Sequence, residues 1–159
     1  MPASNARSSA AKKTAARELL ITRILDAPRE LVFKAWTEPK RVMRWMGSKG
    51  VVMTSCDIEL RAGGSFRWNM RTPDGKPHVA RGVYREIVKP ERLVFTWAWE
   101  GGDGRLGHET LVTISLAEHG AKTKLTLHHA VFETAEACAA HAQGWTGSLD
   151  RMAEYVAKA

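Results

Sequence analysis

Cysteine is scarce in this chain. Cys56 and Cys138 are the only two in 159 residues, and one pair does not make a disulfide framework. They read as free thiols of a reducing compartment, so a cytoplasmic location is expected. Long apolar runs are missing too. No stretch approaches the roughly eighteen uninterrupted apolar residues of a membrane span, and no membrane role is expected. Residues 1–17 hold no acid and no apolar h-region of a secretory signal. They read as a disordered basic tail, followed by a single domain over residues 18–159.

The net charge of +7 is unevenly placed: Arg7, Lys12, Lys13 and Arg17 supply +4, and the rest of the chain only +3. A nucleic-acid surface needs basic residues clustered within the fold. Here Arg41, Arg44, Lys49, Arg61, Arg67 and Arg71 are scattered among acids and aromatics, so no nucleic-acid partner is expected. With 44% apolar and 26% charged residues, the domain has an ordinary globular balance.

Signatures of catalysis and metal binding are thin. His108-Glu109 lacks a second histidine four residues on, so the zinc-helix pattern fails. His128 and His129 alternate across a strand and cannot easily share an ion. The two cysteines have no ligand spacing. Ser65 and Ser148 lack a nucleophile elbow, and Ala62-Gly63-Gly64 lacks the setting of a dinucleotide loop. No cofactor and no metal are expected. His108 and His129 remain as weak candidates for acid–base work, with a rim position for the first and a hydrogen-bonded core position for the second as the competing readings.

What the chain does have is tryptophan: Trp36, Trp45, Trp68, Trp97, Trp99 and Trp145. Periodicity places them. Glu18–Asp26 reads as a strand, and Asp26 or Ala27 as the cap of a helix with Pro28 in its first turn. Glu38-Pro39 breaks that helix, and a short second one follows. From Val51 to about residue 131, apolar and polar residues alternate between turn signals, predicting six strands of an antiparallel meander. Ala142, Trp145, Leu149, Met152 and Val156 then step by three and four, predicting a helix over 134–157. Gly144 and Gly147 in it cost about 1 kcal/mol each in propensity and suit a close approach by another element. An antiparallel sheet must cover its apolar face, and the last helix is the element long enough to do so. The expected fold is α+β: a curved sheet wrapped round one long helix, with two short helices closing one end. Aromatic stripes are usually core. A cavity between sheet and helix would be lined by Trp68, Met70, Trp97, Trp99 and Trp145, with Tyr84, His129 or an indole N–H orienting a ligand.

Several segments carry a resemblance. They are Ala27-Pro-Arg-Glu-Leu-Val-Phe-Lys-Ala-Trp-Thr-Glu-Pro39, Arg44-Trp-Met-Gly47, Leu60-Arg-Ala-Gly-Gly-Ser-Phe-Arg-Trp68, Arg71-Thr-Pro-Asp-Gly75, Pro90-Glu-Arg-Leu-Val-Phe-Thr-Trp97, Glu109-Thr-Leu-Val-Thr113 and Gly144-Trp-Thr-Gly-Ser-Leu-Asp-Arg-Met152. In this order they resemble the SRPBCC (START-like, Bet v 1-like) superfamily with its helix-grip fold. Within it, the chain resembles the family homologous to the C-terminal domain of the heat-shock protein 90 ATPase activator. The resemblance implies a deep, mostly apolar cavity and, often, a homodimer. It does not imply one activity, because the superfamily spans carriers, cyclases and hydrolase-like members. The expected function is binding of a small, largely apolar molecule. The alternatives are a cyclase- or hydrolase-type enzyme using the same cavity and a protein-interaction module in stress response that contacts a chaperone.

Overall fold

Alternation becomes strands and the 3.6-residue period becomes helix along nearly the whole described chain. The computed structural model describes residues 17–159, so the expected tail lies outside the described residues except for Arg17. Strand β1 (Leu19–Leu25) leads into helices α1 (Arg29–Thr37) and α2 (Pro39–Trp45). Strands β2 (Val52–Ile58), β3 (Ser65–Arg71), β4 (Pro77–Val88), β5 (Arg92–Trp99), β6 (Thr110–His119) and β7 (Lys122–Ala130) follow, and helix α3 (Ala135–Lys158) ends the chain. All seven strands form one antiparallel sheet in the order β1-β7-β6-β5-β4-β3-β2. This is the α+β helix-grip architecture. No helix among the described residues is long and apolar enough to cross a membrane.

Local chemistry sets the boundaries. The cap of α1 is Pro28, not Asp26 or Ala27, and it makes no side-chain cap bond. Pro28 is extended (ψ 152°), and its carbonyl already accepts from the backbone N–H groups of Leu31 and Val32. Asp26 is thereby left outside the helix. At the far end, the residue before a proline is driven out of the helical region. Glu38 obeys, with φ −92° and ψ 119°, and Pro39 opens α2. Helix α3 is capped by Thr134, whose hydroxyl oxygen accepts from the Ala137 N–H, a bond worth about 1 kcal/mol at such sites.

Curvature comes from two irregularities in strand register, between Met53 and Ser55 and between Tyr84 and Glu86. Bulges of this kind bend a strand and increase its twist. Gly82 adds to the bend. A side chain there would strike the Phe66 ring and the Thr96 carbonyl, so its absence lets Phe66 lie across β4. The inner face then carries Phe66, Trp68 and Met70 from β3 and Leu93, Phe95 and Trp97 from β5. Val112, Ile114, Leu125 and Leu127 come from β6 and β7, all buried. Helix α3 answers with Trp145, Leu149, Met152 and Val156.

The loop between α2 and β2 is clamped to α3. The Arg151 guanidinium donates to the Gly47 carbonyl at 2.9 Å, with the Met46 and Val51 carbonyls at 3.4 and 3.3 Å. The Gly47 N–H donates to the Ser148 hydroxyl at 3.1 Å. Gly147 lies so close to Ser48 that a Cβ would come within 2.8 Å of its Cβ. The expected close approach at Gly147 is thus between α3 and this loop. Segments 44–47 and 144–152, far apart in sequence, meet here.

Candidate functional site: a tryptophan-walled cleft

Between α3 and the strands beside the clamp the packing is incomplete. A cleft of about 310 Å³ remains. Met70, Trp97 and Trp99 form its sheet side, and His141, Gly144 and Trp145 its helix side. Met46 and Val51 close the end beside the loop, and His78 stands at the mouth. The indoles pack edge-on and tilted: Trp97 lies 5.3 Å from Trp99 and 5.1 Å from Trp145 between ring centroids. Such offset geometries suit the quadrupole of aromatic rings.

Two indole–imidazole hydrogen bonds run in opposite directions across the gap. The Trp145 indole, on the helix, donates to Nδ1 of His129, on the sheet, at 3.0 Å. The Trp99 indole, on the sheet, donates to Nε2 of His141, on the helix, at 2.8 Å. Each acceptor fixes a tautomer. His129 carries its proton on Nε2 and donates it to the Thr110 hydroxyl at 2.6 Å, which in turn donates to the Trp97 carbonyl at 2.8 Å. His141 carries its proton on Nδ1 and donates it to the Ala137 carbonyl at 2.7 Å. Burial, with His141 and His128 nearby, pushes the His129 imidazole down from 6.5 to about 2. Burial also lowers His141. His78 is lowered by burial and by its proximity to His141. The cleft therefore presents neutral imidazoles, and no Asp, Glu, Lys or Arg lines it.

The sequence-derived candidates divide. Met70, Trp97, Trp99 and Trp145 stand on the cleft wall. Trp68 and Tyr84 do not. Trp68 is packed behind Trp97 at 5.5 Å, and Tyr84 lies farther back against Phe66 and Phe95. Their strands point them inward as expected, but the sheet curls there and fills the space with aromatics. Tyr84 therefore offers no hydroxyl to the cleft. His129 is fully buried beneath the wall, and both ring nitrogens are engaged by protein groups. It supports Trp145 and does not reach the cleft. His108 is exposed and hydrogen-bonds the Val131 carbonyl at 2.6 Å, while its neighbour Glu109 faces Arg85 at 3.7 Å. Both residues precede β6 in the loop and are exposed, and neither joins the cleft. Among the described residues no group of three His, Cys, Asp or Glu could hold a metal ion.

Sequence reasoning missed His78, His141 and Met46. His141 falls one turn before Trp145 on the apolar stripe of α3, so helical periodicity could have found it. His78 shares inward parity with Ala80 and Tyr84 on β4, but it sits beside a turn, where parity is a weak guide.

The model of the family described as Activator of Hsp90 ATPase homolog 1-like protein matches residues 26–157. The chain belongs to this family. Among solved structures, protein CV1439 from Chromobacterium violaceum is 25% identical, with 90% of this chain and 99% of that one covered and a TM-score of 0.79. The AHSA1 (SPO3351) protein from Silicibacter pomeroyi is also 25% identical, with coverage of 88% and 97% and a TM-score of 0.79. CalU16 from Micromonospora echinospora is 27% identical, with coverage of 87% and 75% and a TM-score of 0.63. No curated protein matches. For this member of the Hsp90-activator-like family, the family segments 44–47 and 144–152 are those that build the clamp and one wall of the cleft.

Proposed function

We propose that the domain binds one small, largely apolar molecule in the cleft between the sheet and α3. The observation that supports this reading is an open space of about 310 Å³ walled by Trp97, Trp99, Trp145 and Met70, with no charged side chain on it. That volume lies at the lower end of the range of small-molecule sites, about 300–1,000 Å³. Each 100 Å² or so of apolar ligand surface buried there contributes about 2.5 kcal/mol before the cost of association.

The test is a calorimetric titration with 2-methylnaphthalene, a neutral apolar probe. The wild-type protein should bind it at one saturable site. Gly144→Leu should lose at least about tenfold in affinity, because nothing lies within 4 Å of a Cβ at Gly144 and a leucine there projects into free space. A wild-type protein that does not saturate, or a variant that binds equally well, refutes the proposal.

A further inference from the structure

We infer that the occupant of this cleft is an uncharged aromatic alcohol of one or two rings, its ring held by the tryptophan wall and its hydroxyl hydrogen-bonded to His78. The inference rests on the binding function proposed above and specifies the ligand's chemistry.

Charge comes first. With no ionised side chain on the wall, a carboxylate or ammonium drawn into the cleft would lose water and gain no counter-charge, a severe penalty. An ionised ligand head is therefore excluded from the interior.

The hydrogen-bonding capacity still unspent comes next. The Ser148 hydroxyl donates to the Gly144 carbonyl and accepts from the Gly47 N–H. The Thr72 hydroxyl is taken up by Asp74 and the Lys76 carbonyl. Both nitrogens of His141 are bonded. His78 is different. Its ring stacks on Trp99 with centroids 3.7 Å apart and planes 25° from parallel, which fixes its position. Among the described residues its ring nitrogens have no partner. A neutral imidazole offers one donor and one acceptor, and a hydroxyl is the simplest group that can serve either. A methyl group serves neither. Size and shape complete the description. A cleft at the small end of ligand sites, walled by three indoles, suits a flat ring that can pack edge-on or offset.

The test is calorimetry near pH 7.5 with 2-naphthol, 2-methylnaphthalene and 2-naphthoate. A phenolic hydroxyl is un-ionised at this pH. A net hydrogen bond predicts that 2-naphthol binds about 3- to 10-fold tighter than the hydrocarbon. The carboxylate should bind at least about tenfold more weakly than 2-naphthol. His78→Phe keeps a ring over Trp99 but removes the hydrogen bond. It should bring 2-naphthol down to or below the affinity of the hydrocarbon and leave the hydrocarbon within about twofold, while His78→Gln should restore part of the preference. Equal affinities for naphthol and hydrocarbon, a naphthoate that binds as tightly, or a His78→Phe variant that keeps the preference would overturn the assignment and leave the apolar cleft standing. A variant that loses both neutral probes would show that His78 acts on cleft shape and not on the hydroxyl. Failure of all three probes on the wild type removes the cleft reading as well.

Discussion

Acid should loosen this fold through His129. In the folded protein its imidazole is neutral, accepts from Trp145 and donates to Thr110, and burial lowers it from 6.5 to about 2. An unfolded chain releases it to bind a proton near its ordinary value. Below about pH 6.5 the unfolded state therefore holds one proton more than the folded state, and each pH unit removes about 1.4 kcal/mol of stability. Stability is fully present above that pH and declines as the pH falls towards the folded-state value. Between about pH 7 and pH 4.5 the loss from this one residue is roughly 2.5 kcal/mol, a large share of the 5–15 kcal/mol typical of a domain. The assay is urea denaturation across that range for the wild type and for His129→Gln, which keeps a donor and an acceptor but cannot titrate. The variant should be the less stable at neutral pH, and the gap should close by about 2.5 kcal/mol at the acid end. Comparing the two proteins at each pH cancels the contributions of the other histidines and of the carboxylates. A gap that stays constant with pH would refute the linkage.

Two further outcomes follow from the same contacts. Thr110→Val removes the hydroxyl between His129 and the Trp97 carbonyl and leaves a buried donor and acceptor unpaired. It should cost about 2 kcal/mol, read as a shift in denaturation midpoint without a change in slope. Gly147→Ala gains about 1 kcal/mol of helix propensity but drives a methyl into Ser48, whose Cα would lie 3.2 Å away; thermal unfolding should show a net loss, and a gain would mean that the clamp yields.

Much of this architecture was readable from periodicity because period sets the face. The alternation Phe66, Trp68, Met70 and the steps Trp145, Leu149, Met152 name the two surfaces that must meet. Periodicity is silent on where along those surfaces the contact opens. Trp68 and Trp97 share the same inward rule, yet only Trp97 reaches free space, because two register shifts and Gly82 curl the sheet around the Phe66 cluster. His129 followed the rule and proved to be a buttress, since the hydroxyl that accepts its hydrogen bond belongs to β6, nineteen positions away in sequence. The clamp was not read from the sequence: nothing in local pattern pairs Arg151 with the carbonyls of residues 46–51.

The cleft runs along a stretch of α3 that two sets of contacts hold in place. On one side the Trp145–His129 and Trp99–His141 bonds fix the distance between helix and sheet. On the other, Gly147, Ser148 and Arg151 fix the helix to the loop after α2. Interiors ordinarily close to crystal-like density, and here these ties set how closely α3 lies against the sheet. Gly144 sits between His141 and Trp145 with nothing within 4 Å of a Cβ built upon it. A mid-helix glycine costs about 1 kcal/mol relative to alanine, and here no neighbour requires it. Stability alone would therefore favour a side chain at this position, whereas a site that must stay open would favour its absence. Gly144→Ala should separate the two demands. It should raise stability by up to about 1 kcal/mol and, by placing a methyl in the cleft, weaken binding of 2-methylnaphthalene. If stability rises with no change in affinity, the open space at Gly144 plays no part in binding. If stability falls, the helix relies on a glycine there for a reason other than the cleft.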